Sequence, residues 1–309
     1  MSKNMYDAVI VGGGPAGLTA AIYLARAYYR VLVIEKEKFG GQITLTAEVV
    51  NYPGIEHISG AKLGEQMRKQ AENFGAEFLL ATVDSIDMDG DIKKVHTSKG
   101  DIECFGVILA TGAKNRPLGL PNEKKLVGSG ISYCATCDGM FYRDRVVAVN
   151  GGGNTAIEDA TFLANVAKKV YVIHRRDEFR AEEAVVAALK KKDNVEFVLN
   201  SNIVEIKEES FAVTGVVVED KNTGEKREIA VDGLFVAIGQ VPDNAAFADV
   251  VELDKAGYIV SGEDCKTKTE GVFAAGDGRT KEVRQLVTAA GDGAVAGIAA
   301  AKYVETLNI

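Results

Sequence analysis

Basic charge is in deficit. Against 44 aspartates and glutamates stand 36 lysines and arginines, a formal net charge of −8 over 309 residues. Nucleic-acid binders need a basic face for phosphate contacts, so that class is set aside. The run Lys190-Lys191-Lys192 then reads as a solvated helix end. Long apolar runs are also missing: nothing approaches the ~18 residues that span a bilayer, so no membrane segment is expected. The first strand pattern starts at Tyr6, which leaves no room for a signal peptide. Cysteine is scarce, four in a chain of this length, too few for a disulfide-stapled secreted domain. These absences point to a cytoplasmic enzyme. Metal ligands are scattered: Cys104, Cys265, His57 and His96 share no ligand spacing, and structural zinc usually takes four ligands, so no metal is expected. Cys104 and Cys265 read as core thiols.

What remains is an ordinary globular composition, 47% hydrophobic and 26% charged, long enough for two domains with separate cores. Its most informative segment is Cys134-Ala135-Thr136-Cys137-Asp138, just ahead of a glycine-rich loop. In a cytosolic chain a CxxC is redox-active or metal-binding rather than structural.

A repeat organises the chain. Residues 6–11 (YDAVIV) form an apolar run ending in Gly12-Gly13-Gly14-Pro15-Ala16-Gly17. A helical segment follows at 18–27, then a β-branched run at 31–34 closed by Glu35. Strand, glycine turn, helix, strand and acid match the dinucleotide fingerprint in spacing and order. Glycines at 12, 14 and 17 let the backbone approach a pyrophosphate at a helix N-terminus, where free N–H groups and the dipole favour anions. Glu35 suits a ribose. The pattern returns 139 residues on. Strand 146–149 leads into Gly151-Gly152-Gly153-Asn154-Thr155-Ala156, then helix 157–164 and strand 170–173. Where the acid should recur stands His174, with Arg175, Arg176 and Arg180 after it. Guanidiniums replacing a carboxylate suit a ribose bearing a 2′-phosphate, hence NADP(H). Asn150, at the position of Val11, puts a polar group at the end of a buried strand and calls for a hydrogen-bond partner.

Each loop is followed by a small β-meander and a returning core strand. In the first repeat these are 83–88, 93–97 and 101–104, then 107–109 before Ala110-Thr111-Gly112; in the second, 213–219 and 226–231, then 234–239. Joints are expected at 114–117 and 240–243. The fold class is therefore α/β: two Rossmann-like, three-layer nucleotide-binding domains, the second inserted in the first. The outer domain is drawn at 1–115 and 245–309, the inner at 116–244. A buried strand at 271–277 ends in Gly276-Asp277, and a helix is expected over 283–305. A carboxylate there suits a hydroxylated chain, and the helix N-terminus suits negative charge on a reduced flavin.

At this point the chain resembles low-molecular-weight thioredoxin reductases of the bacterial type, over nearly its whole length. The resemblance rests on residues 12–17, Gly40-Gly41-Gln42, Asn51-Tyr52-Pro53-Gly54, 110–112, 134–138, 151–156, His174 to Arg176 with Arg180, Gly276-Asp277 and Arg284-Gln285. It implies FAD on the first repeat and NADPH on the second. Gln42 and Asn51 would then lie near the flavin ring, Asp277 on its ribityl chain, and Arg284 and Gln285 by its polar edge. It also implies a homodimer formed through the FAD domains, and thioredoxin as the protein substrate. Electrons would pass from NADPH through FAD to a Cys134–Cys137 disulfide. Cys137 would face the flavin, Cys134 would attack the partner, and Asp138 would handle protons as the inserted domain rotates between two poses. Two departures stand out: segment 239–244 lacks the usual Pro-Asn-Thr ending, and Ser129 replaces a residue that is basic in some relatives and helps thioredoxin dock.

Rival readings are a peroxiredoxin-system reductase, a ferredoxin-fed flavin thioredoxin reductase, a ferredoxin–NADP reductase and a flavin-bound redox sensor. The first carries an extra N-terminal module, the second has degraded nicotinamide motifs, the third needs no CxxC, and the last would show no turnover.

Overall fold

The computed structural model describes residues 5–307. The chain forms two compact units, one of residues Met1–Lys114 with Val241–Ile309, the other Asn115–Gln240. Unit 1 opens with β1 (Met5–Val11), α1 (Pro15–Arg26), β2 (Val31–Glu35), α2 (Gly60–Asn73) and β3 (Glu77–Leu80). It continues through β4 (Val83–Asp89), β5 (Ile92–Thr97) and β6 (Gly100–Leu109) to β7 (Ala113–Asn115) at the first crossing. Unit 2 holds α3 (Glu123–Leu126), β8 (Ile131–Ser132), α4 (Ala135–Asp138), β9 (Val146–Gly151), α5 (Asn154–Leu163), β10 (Lys169–Ile173) and α6 (Glu183–Leu189). There follow β11 (Val195–Val198), β12 (Ser201–Glu209), β13 (Ala212–Asp220), β14 (Lys226–Ala230) and β15 (Gly233–Ala237). At the second crossing β16 (Gln240–Pro242) pairs with β7, and the chain returns to unit 1 for β17 (Val272–Ala274) and α7 (Leu286–Thr306).

Unit 1 is a seven-stranded sheet in the order β3-β2-β1-β6-β5-β4, with β17 beside β6. Its central strands are apolar on both faces, as parallel strands covered on two sides must be. Ala8, Ile10, Val33, Ile108 and Phe273 pack under α1 and α7, while Val9, Val11, Leu32, Ile34 and Leu109 pack against the β4–β5 hairpin and residues 247–259. Unit 2 repeats the scheme with the parallel sheet β11-β10-β9-β15-β8. Val147, Val149, Val172 and Phe235 face α5, whereas Ala148, Ile173, Leu234 and Val236 face the antiparallel sheet β12-β13-β14.

Three sequence expectations change. The strands at 101–104 and 107–109 are one ten-residue strand, β6, because Phe105 and Gly106 stay extended. Its first half pairs antiparallel with β5 and its second half parallel with β17. The second meander gains a strand, β12, which was not anticipated because register shifts at Ile203/Glu205 and Lys207/Glu208 break its alternation. Asn150 is half-buried rather than sealed, so it can reach water and needs no protein partner. Other boundaries shift by a few residues: α1 begins at Pro15 and α7 at Leu286. Cys104 and Cys265 are free thiols buried in the core of unit 1, where burial pushes their pKa values to about 12 and about 11.

Candidate redox and nucleotide sites

In unit 1 the glycine loop is held by backbone contact. A side chain at Gly12 (φ +113°) would place its Cβ 2.2 Å from the Ala110 carbonyl oxygen, and one at Gly17 would lie 1.9 Å from that of Gly12. Neither distance is tolerable, so α1 starts directly above the end of β1, with Pro15 in its first turn and no acid there. Glu35 ends β2, and Oε2 accepts a 2.8 Å hydrogen bond from Gly13 N–H. Its Oε1 accepts from Glu37 N–H at 2.9 Å.

Other segments meet this loop. A Cβ on Gly41 would touch Gly14 Cα at 2.8 Å, one on Gly276 would touch Ala16 Cβ at 2.8 Å, and one on Gly278 would touch Thr111 Oγ1 at 2.7 Å. Residues 12–17, Gly41, Ala110 to Gly112 and Gly276-Asp277 therefore line one cradle. Gln42 joins it through Nε2 to Ala113 O at 3.5 Å. Asn51 is exposed and makes no hydrogen bond to the cradle among the described residues. Arg284 donates from Nε to Asp277 O at 3.3 Å and lies over the Tyr258 ring at 4.2 Å. Gln285 caps α7: its side chain accepts from Thr288 N–H while its own N–H donates to Thr288 Oγ1. Asp277 Oδ1 is buried with no hydrogen-bond partner among the described residues. Burial holds that carboxyl above its ordinary pKa, opposed by Lys281 and Arg284. A buried acceptor with no donor is costly unless a ligand supplies one.

In unit 2, Cys134 and Cys137 form a disulfide across Cα atoms 5.3 Å apart, on the turn that opens α4. Ser132, itself buried, donates from Oγ to Asp138 Oδ2 at 2.6 Å and accepts from Cys134 N–H at 3.0 Å. One hydroxyl thus joins the acid to the redox turn. Burial raises the Asp138 pKa, and the Ser132 hydrogen bond partly offsets it. The turn packs on α5: a Cβ on Gly139 would meet Phe162 at 2.7 Å. Met140 and Phe141, next along the chain, are 47% and 44% exposed, a large apolar pair beside a disulfide.

The second glycine loop follows the first. A Cβ on Gly151 would lie 2.3 Å from Ala237 O, and one on Gly152 only 2.1 Å from the His174 ring. His174 is buried, stacked on Phe179 at 5.2 Å, with Nε2 against Glu178 O at 3.1 Å. It braces the loop from beneath. Burial, with the nearby guanidiniums, lowers its pKa, so it is neutral near pH 7. Gly153, Asn154 and Thr155 are at least partly exposed at the start of α5, which has no acid in its first turn. Asn154 Oδ1 accepts from Glu182 N–H at 3.0 Å, and Ala156 is buried under the turn. Arg175, Arg176 and Arg180 are exposed and make no salt bridge among the described residues; Arg180 N–H is tied to Gly152 O at 2.8 Å. Three unneutralised guanidiniums beside an open helix N-terminus make an anion site.

Comparison with known proteins agrees with this geometry. The family model "Pyridine nucleotide-disulphide oxidoreductase" matches residues 6–294. Thioredoxin reductase of Peptoclostridium acidaminophilum is 46% identical over 310 residues, covering 98% of each chain. The chain belongs to the thioredoxin reductase family. Among solved members, the Streptococcus pyogenes enzyme is 41% identical with a TM-score of 0.94, covering 99% of this chain and 100% of its own. The Lactococcus lactis enzyme in its FR conformation is 40% identical with a TM-score of 0.67, covering 97% and 99%.

Two residues of this family member escaped the sequence reading. Ser132 is a lone serine two positions before the CxxC, a weak signal. Asn244 lies in the segment that departs from the family pattern. It is 1% exposed, its Oδ1 accepts from Thr111 Oγ1 at 2.6 Å, and its Nδ2 donates to Gly257 O and Gly278 O. It locks the two walls of the cradle together.

Proposed function

We propose that the chain is an NADPH-dependent thioredoxin-disulfide reductase that holds FAD in the unit 1 cradle and NADPH at the second glycine loop. The observation that carries this reading is the Cys134–Cys137 disulfide, joined through Ser132 to the half-buried Asp138 carboxyl in a unit with its own glycine loop. Residues 1–115 with 245–309 would be the FAD-binding domain and 116–244 the NADPH-binding domain. The cradle suits FAD because Asp277 Oδ1 lacks a donor that a ribityl hydroxyl would supply, while Glu35 suits a ribose. Gly12, Gly14 and Pro15 to Gly17 would present α1 to the diphosphate, with Gly41, Gln42, Ala110 to Gly112, Gly276, Arg284 and Gln285 around the ring and chain. Asn51 would approach the ring from an exposed segment. Gly151, Gly153, Asn154, Thr155 and Ala156 would present α5 to the second diphosphate, and Arg175, Arg176 and Arg180 would hold the 2′-phosphate with His174 bracing them. Bound flavin supplies a two-electron relay between reduced nicotinamide and the disulfide.

Once reduced, the Cys134 thiolate attacks a disulfide sulfur of thioredoxin, forming a mixed disulfide and releasing one thioredoxin thiolate. Cys137 then attacks Cys134 Sγ, restoring the Cys134–Cys137 bond and expelling the second thiolate. Asp138, with its pKa raised, can hold and return a proton beside this exchange. Met140 and Phe141 give a protein substrate an apolar surface next to the sulfurs.

Rotation of the inserted domain is part of the reading. The chain crosses between units only twice, and solved relatives at 41% and 40% identity match it at TM-scores of 0.94 and 0.67, a gap identity does not explain. A homodimer is supported by Val287, Val295 and Ile298, exposed along α7, with Tyr23 exposed on α1; sedimentation should read twice the chain mass. Two free core thiols suit the cytoplasm. The deciding assay is NADPH oxidation with and without thioredoxin. Cys134→Ser should remove thioredoxin-dependent turnover, and undiminished turnover in that variant would end the proposal.

A further inference from the structure

The cradle rests on a buried charge cluster that the proposed chemistry does not use. Asp292, in the second turn of α7, is 7% exposed, and its two oxygens take four hydrogen bonds. Oδ2 accepts from Gly276 N–H at 2.9 Å, Arg279 Nε at 2.8 Å and Lys281 Nζ at 2.8 Å; Oδ1 accepts from Arg279 Nη2 at 2.8 Å. Arg279 is 2% exposed, and its remaining contacts are to the carbonyls of Ser261 and Thr280 and to the solvent-facing Glu263 at 3.6 Å. One carboxylate therefore gathers residues 276, 279 and 281 of a single loop.

Asp277 lies between the first two anchors, and its Oδ1 is the buried acceptor that has no partner among the described residues. Gly276 takes φ +78° where its N–H meets Asp292, and this left-handed turn sets the direction in which the next side chain leaves the backbone. We propose that Asp292 is the positioning residue of the flavin cradle: by closing loop 276–281 around its carboxylate, it aims Asp277 at the ribityl chain. Charge points the same way. Asp292 offsets Arg279 and Lys281, so these buried cations do not draw the Asp277 carboxylate into the loop as an internal ion pair. The inference rests on the flavin reading above but adds a residue to which that reading gives no role.

The test is FAD binding to deflavinated protein, read by flavin fluorescence quenching, with folding followed by circular dichroism. Wild type must bind FAD; if it does not, the proposed function fails and the positioning question does not arise. Given binding, Asp292→Asn should weaken FAD about tenfold, Asp277→Ala by a similar factor, and the double variant by no more than about threefold beyond Asp277→Ala alone. A residue that only stabilises the fold would instead multiply its penalty onto that of Asp277→Ala, and this outcome, or unchanged affinity in Asp292→Asn, overturns the proposal. Should Asp292→Asn not fold, Lys281→Gln keeps the Arg279–Asp292 fork and decides the matter. It should cost about threefold in FAD affinity, and that loss must vanish in the Asp277→Ala background. Persistence of the loss there, or no loss in the single variant, counts against Asp292.

Discussion

The two glycine loops share a skeleton and an acid-free helix start, and differ most at the end of the second strand. Positions 139 residues apart correspond: Gly12 with Gly151, Gly17 with Ala156, Ala20 with Asp159, Glu35 with His174. In both units the opening glycine is dictated by a strand carbonyl that a Cβ would strike, Ala110 O at 2.2 Å or Ala237 O at 2.3 Å. That contact belongs to the fold. The end of the second strand is different. Glu35 is fixed by two backbone N–H donors and presents a carboxylate, whereas His174 is buried beneath its loop and leaves three guanidiniums outside. Backbone sterics thus define the shape of the loop, and the two strand ends present opposite charge, a carboxylate in one unit and guanidiniums in the other.

The sharpest way to break the comparison is Gly17→Ala. Its Cβ would sit 1.9 Å from Gly12 O, and α1 cannot retreat, because a Cβ on Gly293 of α7 would already meet Ala16 O at 2.2 Å. The loop must open, at a cost of about 3 kcal/mol or more. The purified variant should be largely colourless, with melting temperature and flavin content both reduced. Full flavin content would show that the contact is softer than the geometry says.

Next in size is the position where Ala20 of α1 is replaced by Asp159 in α5. Asp159 is 9% exposed, and burial lifts its pKa to about 7, partly offset by the Ala135 backbone N–H. With the folded pKa above the unfolded one, the folded state keeps this proton while the unfolded state has released it. Stability therefore falls as pH rises from the ordinary carboxylate range through about 7. The loss is at most about 4 kcal/mol at pH 8, because each tenfold difference in proton affinity between the two states is worth about 1.4 kcal/mol. Asp159→Asn should flatten the dependence of melting temperature on pH between 5 and 8. If the two proteins kept parallel profiles, Asp159 would be ionised in the fold.

Much of this contrast was legible in the sequence, and the reason is local. Strand, glycine turn and helix alternate within about 25 residues, so periodicity and glycine spacing suffice to read them. The arginine cluster was legible because the repeat showed where an acid ought to stand. What escaped was made by folding. Asn244 bridges Thr111 and Gly278 across 133 and 34 residues, Asp292 gathers a loop 11 to 16 residues back, and neither has a local signature. Strand β12 escaped because its bulges erase the two-residue period, and Ser132 because one serine near a CxxC says little by itself.

The arginines set the third effect. Replacing Arg175 and Arg176 with alanine should lower the ratio of kcat/KM for NADPH over NADH by about 100-fold or more, since each charge-assisted contact to a phosphate is worth about 1.5–3 kcal/mol and two are removed. Most of the change should appear in KM for NADPH, leaving the use of NADH nearly untouched. A preserved ratio would mean that the 2′-phosphate is held elsewhere.

The smallest effect is the reciprocal of the first. Ala156 holds the place of Gly17, but its methyl is accommodated: it packs in the core with Ile157 and Ala160, fully buried. Behind this point α5 packs on the short α4 turn, whereas α1 packs on the long α7, whose Gly293 meets Ala16 O. Ala156→Gly should therefore cost only about 1 kcal/mol, the helix-propensity penalty, together with a small term for the lost methyl. The NADPH/NADH ratio should not move, because the N–H groups of the turn stay where they are. Measured beside Gly17→Ala, it separates a glycine required by contact from a small residue that is merely allowed. Equal penalties for the two would mean that both loops are equally tight and that the difference between them lies wholly at the strand end.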